Sequence, residues 1–270
     1  MSPQPSAPAR FASNLTVDEF LLVTEAGWDS VAVVGGDCSY NTGTQGTLGS
    51  RRGELNRISE SLAAGQSRAL ERMRDEATEA GSEGVVSVRL ERAEIEPGEN
   101  ANVLVEHFTA IGSAVRRRNS APPKNRAPFT SHLSGQDTWA LLDAGYMPLG
   151  VVFGFSVYHF KRVYRRLRAC CEMPEITDAV YGAREHAMSR MQGQAAHLGA
   201  TGIVGVSIDM KHSRRRTIIF TALGTAIAKP KPHPESREPR TALTLNTRSS
   251  LPVPPRHLTR HGQQLSGETP

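Results

Sequence analysis

The chain has 270 residues, enough for one or two domains with a substantial core. Its 32 Lys and Arg against 27 Asp and Glu leave a mildly basic balance, much of it in short runs, so charge alone does not imply nucleic acid. Three cysteines without framework spacing exclude a disulfide scaffold and point to a reducing compartment. The longest apolar stretch, Leu149 to Phe155, is too short to cross a bilayer.

Residues 1–12 are rich in Pro, Ala and Ser, which predicts a disordered N-terminus. Met1 to Arg10 has no apolar h-region, so no secretory leader is expected and the chain reads as soluble and cytoplasmic. A helix is predicted from Thr16, an N-cap residue with Glu19 at capping-box spacing, and Gly27 is placed to end it. A short apolar run, Val31–Val34, reads as a buried strand. A second helix leads to Gly81 and into a strand, as Glu79-Ala-Gly-Ser-Glu-Gly-Val-Val-Ser-Val-Arg-Leu-Glu91. The last strand of this half spans Val103–Val115.

The whole pattern then recurs. Ser13, Leu15, Ala26, Gly27, Val33, Val34, Gly36 and Tyr40 reappear as Ser131, Leu133, Ala144, Gly145, Val151, Val152, Gly154 and Tyr158, a constant offset of 118 positions. The offset holds through the second helix, where Ala69, Arg72, Met73 and Ala77 match Ala187, Arg190, Met191 and Ala195. It drops to 112 at the end, where Phe108-Thr-Ala-Ile-Gly-Ser-Ala-Val115 matches Phe220-Thr-Ala-Leu-Gly-Thr-Ala-Ile227. Register held this long is the mark of an internal duplication. The predicted organisation is a first copy over 13–118, a linker over 119–130, a second copy over 131–229 and a disordered Pro/Arg-rich tail over 230–270.

In the second copy Ser134 and Asp137 repeat the helix start, Leu149–Phe153 is the buried run, and Ala187, Met191, Ala195 and Leu198 form a helical stripe. The final strand is apolar on both faces: Ile218, Phe220, Ala222 and Ala226 on one, Ile219, Leu223 and Ile227 on the other. A sheet covered on one side only alternates apolar and polar residues, so the second face needs cover from the other copy or another subunit. Ile219, Leu223 and Ile227 are therefore the interface candidates.

Tyr181-Gly-Ala-Arg-Glu-His-Ala187 running into Leu198-Gly-Ala-Thr-Gly-Ile-Val-Gly-Val206, with Ala222-Leu-Gly-Thr-Ala226, resembles the YbjQ family of small bacterial proteins labelled heavy-metal-binding. The resemblance covers roughly 13–118 and 131–229 and is similar to the tandem version of actinobacteria. It implies an α+β fold: two dodecin-like repeats, each a leading helix and a small β-α-β-β sheet with a packed helix. It also implies five-membered rings, and for a two-copy chain a closed particle of about five chains. Copy one departs most over Gly43 to Gly53.

Four residues are metal candidates, Cys38, His159, Cys170 and Cys171, although no C-x-x-C or paired short spacing supports them. Phe160, Val163, Tyr164, Leu167 and Cys171 fall on one stripe of a predicted helix, with Lys161, Arg162, Arg165, Arg166 and Arg168 beside it as anion-binding candidates. Gly43, Gly46 and Gly49 followed by Arg51 and Arg52 match no phosphate-binding fingerprint and read as a loop. No Ser-His-Asp order, H-E-x-x-H or paired-carboxylate spacing can be singled out, so no catalytic residue is named.

The sequence thus favours a non-enzymatic, oligomer-forming module that partners itself, with a small ligand or ion between repeats as an option. No cofactor is expected; a metal ion is the alternative. The remaining reading is anion or nucleic-acid binding through residues 160–171.

Overall fold

The computed structural model describes residues 12–44, 53–95, 103–120, 127–160, 172–213 and 217–229. All belong to one compact unit, Met1–Ser236. The first copy contains α1 (Val17–Glu25), β1 (Trp28–Thr44), β2 (Gly53–Glu54), α2 (Asn56–Glu79), β3 (Gly84–Ile95) and β4 (Val103–Arg117). The second contains β5 (Phe129–Thr130), α3 (Gly135–Asp143), β6 (Met147–His159), α4 (Pro174–His197), β7 (Gly202–Ser213) and β8 (Thr217–Ala228). The α+β expectation holds. Among the described residues no helix is long and apolar enough to cross a membrane.

Local chemistry accounts for the element ends. The Thr16 hydroxyl accepts from Glu19 N while the Glu19 carboxylate accepts from Thr16 N, a complete capping box. Ser134 caps α3 through Asp137 N. Gly27 and Gly145 close the two leading helices at φ 80° and 77°, a region that favours glycine.

Two four-stranded sheets result, in the orders β1-β4-β3-β5 and β2-β6-β8-β7. Each copy lends one short strand to the other's sheet. β5, from the second copy, runs parallel to β3. β2, from the first, runs antiparallel to β6. Phe129 and Thr130 were expected in the linker; they are the edge strand of the first sheet instead. The short buried runs also prove longer than expected. β1 continues past Val34 because β4 offers partners as far as Thr44, and buried Cys38 alternates with exposed Asp37 and Ser39.

The layers stack as first sheet, α2, second sheet, α4. Ala69, Met73 and Ala77 of α2 share a core with Val34, Phe108, Ala110 and Ala114 of the first sheet. The same core takes in Val151, Phe153, Phe155 and Val157 from β6. The opposite face of β6, with Val152, packs on the alanine stripe Ala179, Ala183, Ala187 and Ala195 of α4 and on Met191. In each copy one strand glycine lies against the helix backbone. A Cβ on Gly154 would lie 1.9 Å from Ala187 O, and one on Gly36 would lie 2.2 Å from Ala69 O.

These glycines generate a paired prediction. Gly154→Ala must push α4 off its sheet and is expected to destabilise by about 3 kcal/mol. Gly193→Ala meets nothing within 4 Å and removes a helix-interior glycine, so it should stabilise by about 1 kcal/mol. Thermal unfolding of both variants followed by circular dichroism checks the opposite signs.

Candidate functional site

Two polar stations lie where the copies meet. The first is a leader segment preceding each short helix. Both β3 and β7 carry a bulge, between Val86 and Arg89 and between Val204 and Ser207. Ser87 and Gly205 sit in these bulges at φ 54° and 62°. A bulge leaves its extra residues out of the ladder and turns their amides outward. In the first copy those amides find partners. Ser87 N donates to Leu133 O at 3.1 Å and Val88 N to Ser131 O at 2.9 Å, while Ser131 N donates to Val85 O at 2.8 Å. The second copy's leader is thereby strapped to the first copy's edge.

The same leader is anchored to its own copy. His132 Nε2–H donates to Gly205 O at 2.6 Å, and the Thr225 hydroxyl lies 2.7 Å from Nδ1, which accepts from it in the neutral ring. Burial pushes the His132 imidazole below its ordinary value, against the opposing effects of Gly205 and Asp137, which favours that neutral ring. Ser13-Asn14-Leu15 repeats the anchor in copy one. Asn14 Nδ2 donates to Ser87 O at 3.3 Å, Asn14 N donates to Ser113 Oγ, and Leu15 N donates to Ser13 Oγ.

The second station centres on Glu54, whose side chain is only 9% exposed. Its Oε1 accepts from Arg190 Nη1, from Ser156 Oγ at 2.9 Å and from Ser59 Oγ at 3.2 Å. His186 Nδ1 lies 2.7 Å from Oε2. Arg190 also donates to Phe155 O at 2.7 Å. Ser59 Oγ in turn accepts from Val157 N at 2.9 Å, and Leu55 N donates to Val157 O at 2.7 Å. Burial raises the Glu54 carboxyl, but the hydrogen bonds from Arg190 and Ser156 and the charges of Arg190 and His186 outweigh it, so the net direction is down. The group is an ionised carboxylate held between two copies.

Of the residues singled out from sequence, Ile219 and Leu223 pack against the core shared by α2 and β6. Ile227 is buried near the start of β7, with its carbonyl accepting from Thr201 N. Cys38 is buried on β1 in that same core. His159 is buried at the end of β6 beside Gly53 and Thr217, on the other sheet. Phe160 packs against the α4 core. Lys161, Arg162, Arg165, Arg166, Arg168, Cys170 and Cys171 lie outside the described residues. Among the described residues no group of three or more His, Cys, Asp or Glu converges as a metal site would require. Glu54, His132 and the leader were not singled out from sequence. Their signal was positional: Arg190 repeats Arg72, and Glu172 stands 118 positions after Glu54.

Two tandem β-α-β-β copies, each with a leading helix and an exchanged strand, define a duplicated α+β fold. The chain belongs to the YbjQ family, described as "Putative heavy-metal-binding", which matches residues 33–118 and 148–229, once per copy. It is also similar to the encapsulin nanocompartment protein Rv1762c of Mycobacterium tuberculosis (strain ATCC 25618 / H37Rv). The identity is 36% over 235 residues, covering 83% of this chain and 87% of that protein.

Glu54→Gln removes the charge and leaves Arg190 without its carboxylate, an expected loss of about 2–3 kcal/mol at pH 7. Because folding lowers this carboxyl from 4.5, its contribution is full above that pH and disappears as pH falls through the folded value. The stability gap between wild type and Glu54→Gln, read from urea melts at several pH values, should therefore be widest near neutrality and close in acid.

Proposed function

We propose that the chain is a non-enzymatic assembly module that joins copies of itself head to tail, using again the contact that joins its own two repeats. One observation carries this reading. Every inward-facing half of the repeat contact has a counterpart facing outward at the far side of the other repeat. β3 holds the leader Phe129–Leu133, whereas β7, its counterpart, ends its sheet with nothing paired to its outer edge among the described residues. Val206, Ile208 and Met210 on β7 are exposed, while Val86 and Val88 on β3 are buried. At the other end of the chain the leader Ser13–Leu15 is anchored to its own copy, and its strand-pairing side is unused among the described residues.

An unpaired apolar strand edge is a template for another chain, and each copy carries a leader at the matching place, Ser13–Leu15 and Ser131–Leu133. The Mycobacterium tuberculosis relative is an encapsulin nanocompartment protein. A self-assembling module suits such a setting, and we extend that association to this chain. The metal-binding reading rests on the family description, without a converging ligand set among the described residues.

Light scattering behind size exclusion tests the proposal. The expected mass at micromolar concentration is a multiple of the 29.3 kDa chain. A single species at one chain mass would overturn it.

A further inference from the structure

We infer that the groove between β1 and the start of α2 is the docking slot for Glu172 and Met173 of a second copy, with Arg72 taking the incoming carboxylate. The groove is lined by Ser39, Tyr40 and Asn41 on one side and Arg57, Ile58 and Ser61 on the other. This inference rests on the head-to-tail reading and names the residues that make its contact.

The second copy shows the slot filled. There β2 pairs Gly53 with His159 and Glu54 with Tyr158, lying along β6 and touching α4. Shifted by 118 positions, Tyr158 and His159 become Tyr40 and Asn41, which line the open groove. Glu54 becomes Glu172, and Leu55 becomes Met173. Glu172 stands two residues before α4, as Glu54 stands two residues before α2; it is exposed and has no partner among the described residues. Met173 is an exposed large apolar residue at the same place.

The receiving side is built in the same way. Arg72 Nη1 already donates to Asp37 O, as Arg190 Nη1 donates to Phe155 O, its counterpart at the same offset. Arg190 has Glu54 as its carboxylate; Arg72 has no carboxylate among the described residues. Arg68 stands where His186 stands and is 68% exposed; among the described residues its partner is Glu71, a surface pair at 3.3 Å. The slot thus offers two arginines to a single glutamate. The slot in the second copy offers one arginine and one histidine to the same residue type.

The helix behind the glutamate fits the same occupant. Ile58, Leu62 and Leu70 of α2 are buried in the core that α2 shares with both sheets, whereas their counterparts Ile176, Val180 and Met188 on α4 are only half-buried. Docking Glu172 therefore brings a helix face still needing cover onto the outer face of β1. The chain that inserts Glu172 would at the same time offer its β7 edge to Ser13–Leu15 of the chain that carries the slot.

Charge reversal tests the slot. Glu172 is exposed, so Glu172→Arg should leave the melting curve of the chain unchanged. It should raise the concentration for half-assembly at least about tenfold, because a like charge then faces Arg72. Adding Arg72→Glu in the same chain should restore assembly. Light scattering over a dilution series reads both. If the wild type assembles and Glu172→Arg assembles equally well, the slot is wrong while the head-to-tail reading stands. If the wild type is one chain at every concentration, both fall. Should Arg72→Glu impair folding, Arg72→Gln in an otherwise wild-type chain must weaken assembly with an unchanged melt, or the assignment fails.

Discussion

A helix in a single β-α-β-β unit needs one apolar stripe, because it has one sheet to cover. α2 has two. Ala69 and Met73 lie under the first sheet, close enough that only Gly36 fits opposite them. Ser59, Gln66 and Leu70 are buried as well, and Ser59 bonds directly to the β6 backbone. Burying a Leu or Ile side chain is worth about 1.5–3 kcal/mol, so removing the second sheet would expose several such residues at once. The two copies are consequently one thermodynamic unit, and their duplication is more than a string of beads. The rest of the architecture depends on this doubly covered helix.

Apolar burial is strong but non-directional, so it does not by itself fix which groups sit opposite each other across the contact. The polar stations supply the missing direction. Glu54 accepts from Arg190, Ser59 and Ser156, groups set on α4, α2 and β6. A displacement of β2 along β6 would strand an ionised carboxylate in a dry place, which is heavily penalised. The leader does the same work at the other end, where Ser131 uses both its N–H and its C=O on β3. Two fixed points at opposite ends of the contact leave little freedom to slip or rotate.

Much of this fold was legible in the sequence because it was written twice. Gly27 and Gly145, or Gly36 and Gly154, are needed for steric reasons that act identically in each copy, so identity survives. The leader was harder to see. Asn14 and His132 both reach the bulge carbonyl, but one is an amide and the other an imidazole, so their equivalence does not show as identity. Glu54 was hidden differently. It borders Gly43 to Gly53, the stretch where copy one departs from copy two, and a single matched carboxylate beside a diverged segment carries no weight until a partner is seen. Strand exchange was invisible for a further reason: two-residue strands such as β2 and β5 have no periodicity to read.

The inner and outer versions of the contact also differ in composition, and that difference bears on how such a chain would assemble. β6 shows α2 the row Val151, Phe153, Phe155, Val157. The matching row on β1 is Val33, Gly35, Asp37, Ser39, and Asp37 and Ser39 are exposed. A contact made on that second row buries far less apolar area, so its free energy leans on the ion pair and on strand pairing at the β7 edge. On the head-to-tail reading, the join between chains is therefore weaker and more salt-sensitive than the join within a chain. The chain would fold as a stable two-repeat unit first and associate second. A heterologous contact also closes only if its rotation divides the circle; otherwise it runs on as a filament. With two repeats per chain, any closed ring holds an even number of repeats. The five-repeat ring suggested by the family resemblance is thus out of reach in a single layer of whole chains. The polar, loosely specified row on β1 is the part of the contact with room to adopt a different angle from the tight one inside the chain, and so to let an even-numbered ring close.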